Sequence, residues 1–247
     1  QFLLGNLIVD STRNKLQLKE GLTEEEIQRL KNQYSKNIQD EKISTHFRNA
    51  NDRELCVQTP NADIFKTKYE NILHDFSVLG YLFHLYIDKM FFDDLFTESF
   101  ECLDKNLKPT IYAKDLKFIK SKKNNKIYLA DDIWKEDSPV SIYSDYTTMN
   151  KIILEHFDVN INFEKLLECA ENNFSNPGIE VVDYNNIFWV LKSTSNYIKQ
   201  SYESENTELK IFSDSKVKQF IPNVIEQFVN QYFYLFVKGT DKRKQLV

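Results

Sequence analysis

The chain has 247 residues, a formal net charge of −5, 41% hydrophobic residues and 28% charged residues. This composition excludes a disordered chain, and the lack of excess basic residues argues against a dedicated nucleic-acid binder. Glycine and proline number only 5 each, which disfavours turn-rich β-sandwiches. We therefore expect an all-α fold, with a single multi-helix domain over residues 1–247.

The first predicted element in chain order is the apolar segment Phe2–Val9, which ends on the carboxylate of Asp10. Further on, Thr23 and Glu26 have the spacing of a capping box, in which each side chain bonds the other residue's backbone amide. A charged surface helix is therefore expected to begin at Thr23 and to run through Tyr34.

The longest apolar stretch of the chain lies at about 76–103 and predicts a central, mostly buried helix. Its apolar residues recur at helical spacing, for example Leu79, Phe83, Tyr86 and Met90. A shorter helix, capped by Asn61 or Asp63, is predicted to precede it and to run to about residue 73. The other helices are expected to pack around this central element.

The second half of the chain is predicted to be irregular over 105–140 and helical beyond. Ile127–Leu129 is read as a short strand or an extended arm, and Asn176–Gly178 as a turn. Helices are expected at about 141–157, 162–173, 183–203 and 214–236. The three cysteines form no CxxC pair, so reduced thiols are expected. No apolar run approaches the length of a membrane helix.

Among residues that could carry chemistry, His84 and Asp88 are four positions apart in the central helix. Residues at i and i+4 share one helix face, so both side chains can reach one metal ion. An ordinary hydrogen-bonded pair is the alternative. Gly80 lies one turn before His84 and permits either a close helix contact or the approach of a metal or substrate.

The remaining candidates are weaker when each is taken alone. Asp10 is typical of a helix-capping carboxylate, and His46 of a partly exposed loop histidine. His74 is expected between two helices, and His156 near a helix C-terminus, where the helix dipole favours a cation. His74 and His156 are therefore expected to lie outside any metal site.

Three segments, taken in order, resemble the bacterial zinc-dependent phospholipase C family: Phe2–Asp10, Thr45–Arg48 and Leu79–Asp88. That family opens with an apolar segment of the type G-x-x-x-P-D. It continues with a His-Phe pair and a helix of the type G-Y-x-x-H-x-x-x-D. The segment Ser141–Tyr146 is similar to a later part of the small-hydrolase branch. The resemblance covers roughly residues 2–96.

The resemblance implies an all-α fold and a zinc site that hydrolyses phosphoesters, with Mn²⁺ or Fe²⁺ as alternative ions. By position, the implied metal ligands are Asp10, His46, His84 and Asp88. Val9 stands where the family has Pro. The secreted phospholipases add an H-x-x-x-E pair, whereas His156 is followed four residues later by Asn160. One or two ions are therefore expected rather than three.

By this resemblance, a metal-bound hydroxide attacks phosphorus, and Asp10 or Asp88 serves as the general base. The expected substrate is a phosphoester, with lipids included. Two other functions remain open: a non-catalytic helical binding protein with a structural metal, and a metal hydrolase of a soluble phosphoester. A cytoplasmic bacterial protein is the default expectation. Because the sequence begins at Gln1 without Met, we expect the native N-terminus to be missing, which leaves secretion open.

Overall fold

The computed structural model describes residues 1–11, 23–26, 29, 41–135, 138–205 and 208–244. Helix makes up 63% of the structure and strand 7%, so the predicted helical class is confirmed in its main feature. The helices are α1 Phe2–Ile8, α2 Ala62–Lys68, α3 Phe76–Met90, α4 Ala130–Trp134, α5 Ile142–His156, α6 Phe163–Asn173, α7 Ile187–Glu203 and α8 Asp214–Lys244. Residues 41–45 are also helical.

Local polar signals begin several of these helices where the sequence predicted them. The side chain of Asn61 accepts a hydrogen bond from the amide of Ile64 and caps α2. Thr23 and Glu26 exchange the bonds of a capping box, although most of the helix predicted to follow them lies outside the described residues. At the start of α3 the capping side chain is that of Asp75.

A small antiparallel sheet corrects the all-α prediction. Its strands are β1 Phe100–Leu103, β2 Phe118–Ser121 and β3 Ile127–Leu129, in the order β1-β2-β3. Phe100 pairs with Ser121, and the predicted short strand at 127–129 is confirmed as β3. Strands of three or four residues are too short to show a clear alternation of apolar and polar residues, so β1 and β2 were missed.

The predicted central helix is real but ends earlier than residue 103. Helix α3 continues into a π-helical turn at Phe91–Phe96 and a last helical turn at Thr97–Ser99, after which the chain enters β1. The four later helices match their predicted bounds within a few residues, except that α7 starts four residues late and α8 extends to Lys244. Of the described helices, none is long and apolar enough to cross a membrane. The three cysteines are free.

Two apolar clusters form the interior, and both draw on α3 with its extension and on α8. The first cluster includes Leu4, Tyr81, Leu85 and Phe228. The second cluster lies around the sheet and α5 and includes Phe96, Phe100, Ile119, Ile142, Phe212 and Val217. The two helices therefore tie the sheet end of the molecule to the end that contains α1.

Two glycines allow α1 to cross α3 in direct backbone contact. A Cβ atom on Gly5 would lie 1.9 Å from the carbonyl oxygen of Ser77, and a Cβ atom on Gly80 would lie 2.0 Å from that of Phe2. Real Cβ atoms do not approach so closely, so each position requires glycine. This observation decides between the two sequence readings of Gly80 in favour of close helix packing.

Candidate metal centre

Asp10 lies just beyond the end of α1, and the glycine-mediated crossing brings it to α3. Its carboxylate oxygen Oδ2 lies 3.8 Å from Nε2 of His84, one turn further along α3 than Gly80. The approach of Asp10 to this face therefore depends on how closely the two helix backbones pack. The side chain of Asp10 remains 48% exposed.

His46 follows a helical turn that ends in a well-defined capping pattern. The amide of Phe47 donates to the carbonyl oxygen of Ser44 (3.3 Å), and that of Arg48 donates to the carbonyl oxygen of Ile43 (3.1 Å). These are the two bonds of a Schellman motif, which satisfies the last carbonyl groups of a helix. The motif directs the chain away from the helix immediately after His46.

The Schellman position that usually holds glycine is occupied here by Phe47, with φ of 53°. A left-handed conformation costs a non-glycine residue about 1–2 kcal/mol. The ring of Phe47 is buried and packs edge-on against Phe65 and Tyr69, at centroid distances of 5.3 and 6.1 Å. Burial of this aromatic ring offsets the backbone strain beside His46.

The imidazole of His46 is oriented by its own helix. Its Nδ1 lies 3.0 Å from the carbonyl oxygen of Lys42. Oγ1 of Thr45 lies 2.9 Å from the same Nδ1. In the tautomer that donates from Nδ1 to the Lys42 carbonyl, Nε2 carries a lone pair for a metal ion. Nε2 lies 3.5 Å from Oδ2 of Asp88 and 3.8 Å from Oδ1 of Asp10. These groups all offer electron pairs to the same small space.

His84 faces the same space from α3. Its Nε2 lies 3.7 Å from Oδ2 of Asp88, and the two imidazole rings are 5.3 Å apart and nearly perpendicular. The Nε2 atom is buried and has no hydrogen-bond partner among the described residues. A buried polar atom of this kind normally has a partner, and a cation would supply one.

Asp10, His46 and His84 could therefore hold a metal ion. One ligand atom from each residue lies within 4.8 Å of the others. Two imidazole nitrogens with carboxylate oxygens suit Zn²⁺, and also Mn²⁺ or Fe²⁺. Asp88 lies close to both imidazoles, as the sequence analysis expected, and its role as a fourth ligand remains a prediction.

The charges of the site are partly balanced by the protein itself. Burial would raise the pKa of Asp10, but the charges of His84, Lys42 and His46 outweigh it and hold that pKa well below its usual range. Burial also raises the pKa of Asp88, but the neighbouring His84 and His46 lower it by more. Burial is the main cause that lowers the pKa of His46, which favours the neutral imidazole that metals bind.

The structure also shows a cation that sequence reasoning did not find. Lys42 Nζ lies 3.1 Å from Oδ1 of Asp10. Lys42 lies one helical turn before His46, and this spacing is the signal that could have placed it near the site. Asp10 is therefore accompanied by a positive charge even without a metal ion.

A cleft of about 580 Å³ opens beside these residues. Lys42 belongs to its lining and also contacts Asp10, so the cleft and the candidate metal centre adjoin each other. Arg48 lines it as well. The negative charges of Asp88 and Asp10 act on the Arg48 guanidinium, although burial is the larger influence and lowers its pKa.

The two other histidines lie outside the described metal-ligand group. His156 is exposed and is the last residue of α5, and His74 precedes the cap of α3. Among the described residues, one group of three or more metal-binding side chains is found, and it contains neither of them.

Comparison with known proteins adds no relative: no family model matches the chain, and neither a curated protein nor a solved structure does.

Proposed function

We propose that the protein is a metal-dependent phosphoester hydrolase that resembles the zinc-dependent phospholipases C. The observation that carries the proposal is the meeting of Asp10, His46 and His84 from three separate segments around one small space. These are the positions that the ordered motifs single out. The buried, unpartnered Nε2 of His84 supports a cation at this point in the described structure.

A bound divalent ion would supply Lewis acidity at the phosphoryl group and would ease deprotonation of water. Side chains of the protein would accept the proton and bind the phosphoryl group. Asp88, whose carboxylate borders both imidazoles, would accept a proton from the attacking water. Lys42 contacts Asp10 and would bind the phosphoryl oxygens.

The test combines metal analysis with hydrolysis of bis(p-nitrophenyl) phosphate and p-nitrophenyl phosphate. We expect at least one divalent ion per chain and turnover that is lost with a chelator and restored by Zn²⁺. The His84→Ala variant should lose both the ion and the turnover. The His156→Ala variant should keep both, because His156 is exposed at the end of α5. Equal losses in both variants, with unchanged circular dichroism, would contradict the assignment.

A structural metal in a non-catalytic protein is the second candidate. It is favoured by the position four residues after His156, where Asn160 stands in place of the Glu of the secreted phospholipases. An ion held by Asp10, His46 and His84 would then fasten α1 to α3. In that case chelation would lower the thermal midpoint, while neither phosphoester would be hydrolysed with any added metal.

A separate experiment distinguishes a lipid phosphoester substrate from a soluble one. Helix α8 carries exposed apolar side chains four residues apart, among them Val229 and Phe233, and Phe233 is 60% exposed. A lipid-surface enzyme would sediment with vesicles and lose this association in the Phe233→Glu variant. An enzyme of soluble phosphoesters would stay in the supernatant in both forms.

A further inference from the structure

Among the described residues, the charged side chains that line the cleft beside the candidate metal centre are all positive. Lys42, Arg48 and Arg53 all contribute to it, and none of the described residues that line it is acidic. The chain as a whole carries a net charge of −5, so this concentration of cations runs against the overall balance. A concave surface with one sign of charge attracts ligands of the opposite sign.

The cleft adjoins the metal-binding residues through Lys42. Lys42 reaches from the cleft lining to Oδ1 of Asp10, at 3.1 Å. Phe92 also lines the cleft, and it follows Asp88 by one helical turn. A substrate whose reacting phosphoester lies at the metal centre would therefore extend its other end into the cleft.

Arg48 is the most constrained of the three cations. Its Nε is buried and has no hydrogen-bond partner among the described residues. Guanidinium groups offer five donors and no acceptor, and a buried donor without a partner is costly. Because Arg48 also lines the cleft, the other N–H groups of its guanidinium can donate to an anionic oxygen there.

Aromatic side chains form much of the remaining lining: Phe92, Trp134, Tyr143 and Tyr146. Aromatic rings alone would also suit a quaternary ammonium group, such as the choline of a zwitterionic phospholipid. Lys42 is paired with Asp10, but Arg48 and Arg53 in the same cleft oppose that choice, because like charges repel. The lining therefore favours an anion over an ammonium.

We propose that this cleft binds a second anionic group of the substrate, so that the hydrolase acts on phosphoesters with more than one negative group and disfavours choline phosphoesters. The proposal rests on the proposed function for the reacting end of the substrate. The cleft itself can be tested by binding, without turnover. The additional anion can belong to a soluble polyphosphate or to an anionic lipid.

The test uses chelator-treated protein with Trp189→Phe, which leaves Trp134 in the cleft as the one tryptophan. Calorimetry gives the affinity for inorganic phosphate and for phosphocholine, and Trp134 emission reports whether each binds in the cleft. Vesicles of phosphatidic acid and of phosphatidylcholine provide the lipid comparison. We expect phosphate or phosphatidic acid to bind, and phosphocholine and phosphatidylcholine to bind at least tenfold more weakly.

Arg53→Gln is the main variant because Arg53 is exposed and can be changed without disturbing the core; Arg48→Gln is the second. Each should weaken anion binding about tenfold. Lys126→Gln is the control, since it removes a cation from a separate basic cavity. Unchanged anion binding in both arginine variants, or tighter binding of phosphocholine, would overturn the proposal. Anion binding without phosphoester turnover in the metal-loaded protein would contradict the hydrolase function and leave the anion-binding cleft supported.

Discussion

The phenolic oxygen of Tyr81 donates a hydrogen bond of 2.7 Å to the carbonyl oxygen of Thr45, the residue immediately before His46. Both residues are buried. Tyr81 lies one turn before His84 on α3, so this bond joins the two segments that carry the two imidazoles. It positions the His46 turn without contacting the ligand atoms.

We therefore expect Tyr81→Phe to weaken zinc binding several-fold and to lower the free energy of unfolding by about 1–3 kcal/mol, because the Thr45 carbonyl is left buried without its donor. Competition with a fluorescent chelator and urea denaturation measure the two effects. Tyr86→Phe on the same helix is the control. Its hydroxyl makes an exposed bond of 3.4 Å to Gln227, and its loss should change stability by less than about 0.5 kcal/mol. If both variants bind zinc like the wild type, the Tyr81 bond does not position His46.

Gly80→Ala should destabilise the protein, although alanine is the better helix former. Propensity alone predicts a gain of about 1 kcal/mol. The new Cβ would meet the carbonyl oxygen of Phe2 at 2.0 Å, and overpacking of this kind typically costs about 1–3 kcal/mol or more. Since α1 must move away, Asp10 should also withdraw and zinc affinity should fall. Lys89→Ala, at a half-buried position of the same helix that pairs with Asp93, should leave zinc affinity unchanged. A more stable Gly80→Ala protein would show that the helix crossing is looser than described.

Asp10→Asn should weaken metal binding at neutral pH and should also slightly destabilise the chelator-treated protein. Carboxylates close together without a positive charge would make Asp10→Asn more stable than the wild type. Lys42, however, lies 3.1 Å from Asp10, and the pKa of Asp10 is lowered. A lowered pKa means that the ionised form stabilises the fold. The effect is about 1 kcal/mol or less, because the side chain is 48% exposed.

The pH dependence of the stability difference between wild type and Asp10→Asn is the control for this prediction. The stabilisation by ionised Asp10 is fully present above the unfolded-state pKa of about 3.9 and is lost as the pH falls further below it. The difference in unfolding free energy between wild type and Asp10→Asn, measured with chelator, should therefore be present at about pH 5 and shrink in stronger acid. A variant more stable than the wild type at pH 7 would contradict this account.

Asp145 carries a different, structural role within the segment Ser141–Tyr146. Its side chain is 1% exposed and accepts hydrogen bonds from the amides of Lys210, Ile211 and Phe212, at 2.8, 2.7 and 3.1 Å. These bonds fasten the segment before α8 to α5.

Asp145→Asn should cost about 2–4 kcal/mol of unfolding free energy, since one amide oxygen replaces a carboxylate that serves three donors. Zinc affinity should be unchanged, because these bonds lie around the second apolar cluster rather than at the metal centre. Thermal denaturation and zinc titration measure the two quantities. Glu155→Gln, exposed on the same helix, is the control and should behave as wild type. A loss of zinc binding in Asp145→Asn would show coupling between the two ends of the molecule.

Much of the helical architecture could be predicted because helix formation depends on patterns among residues that are close in the sequence. Apolar spacing placed α3 and the four later helices, and polar residues such as Asn61 marked the start of α2. The approach of Asp88 to His84 also follows from local geometry, since positions i and i+4 share a helix face. The short strands β1 and β2 escaped prediction because their pairing joins segments that carry little pattern of their own.

The helices and the local His84–Asp88 pair follow from the sequence alone, and the family resemblance added Asp10 and His46 as candidates. Tertiary packing was needed to bring these two residues to α3, to place Lys42 beside Asp10 and to form the cationic cleft that adjoins them. These contacts depend on a helix crossing at Gly80 and on a left-handed Phe47 that ends a helix without glycine. Such arrangements arise from the packing of distant segments against each other, and the periodicity of a single segment does not encode them.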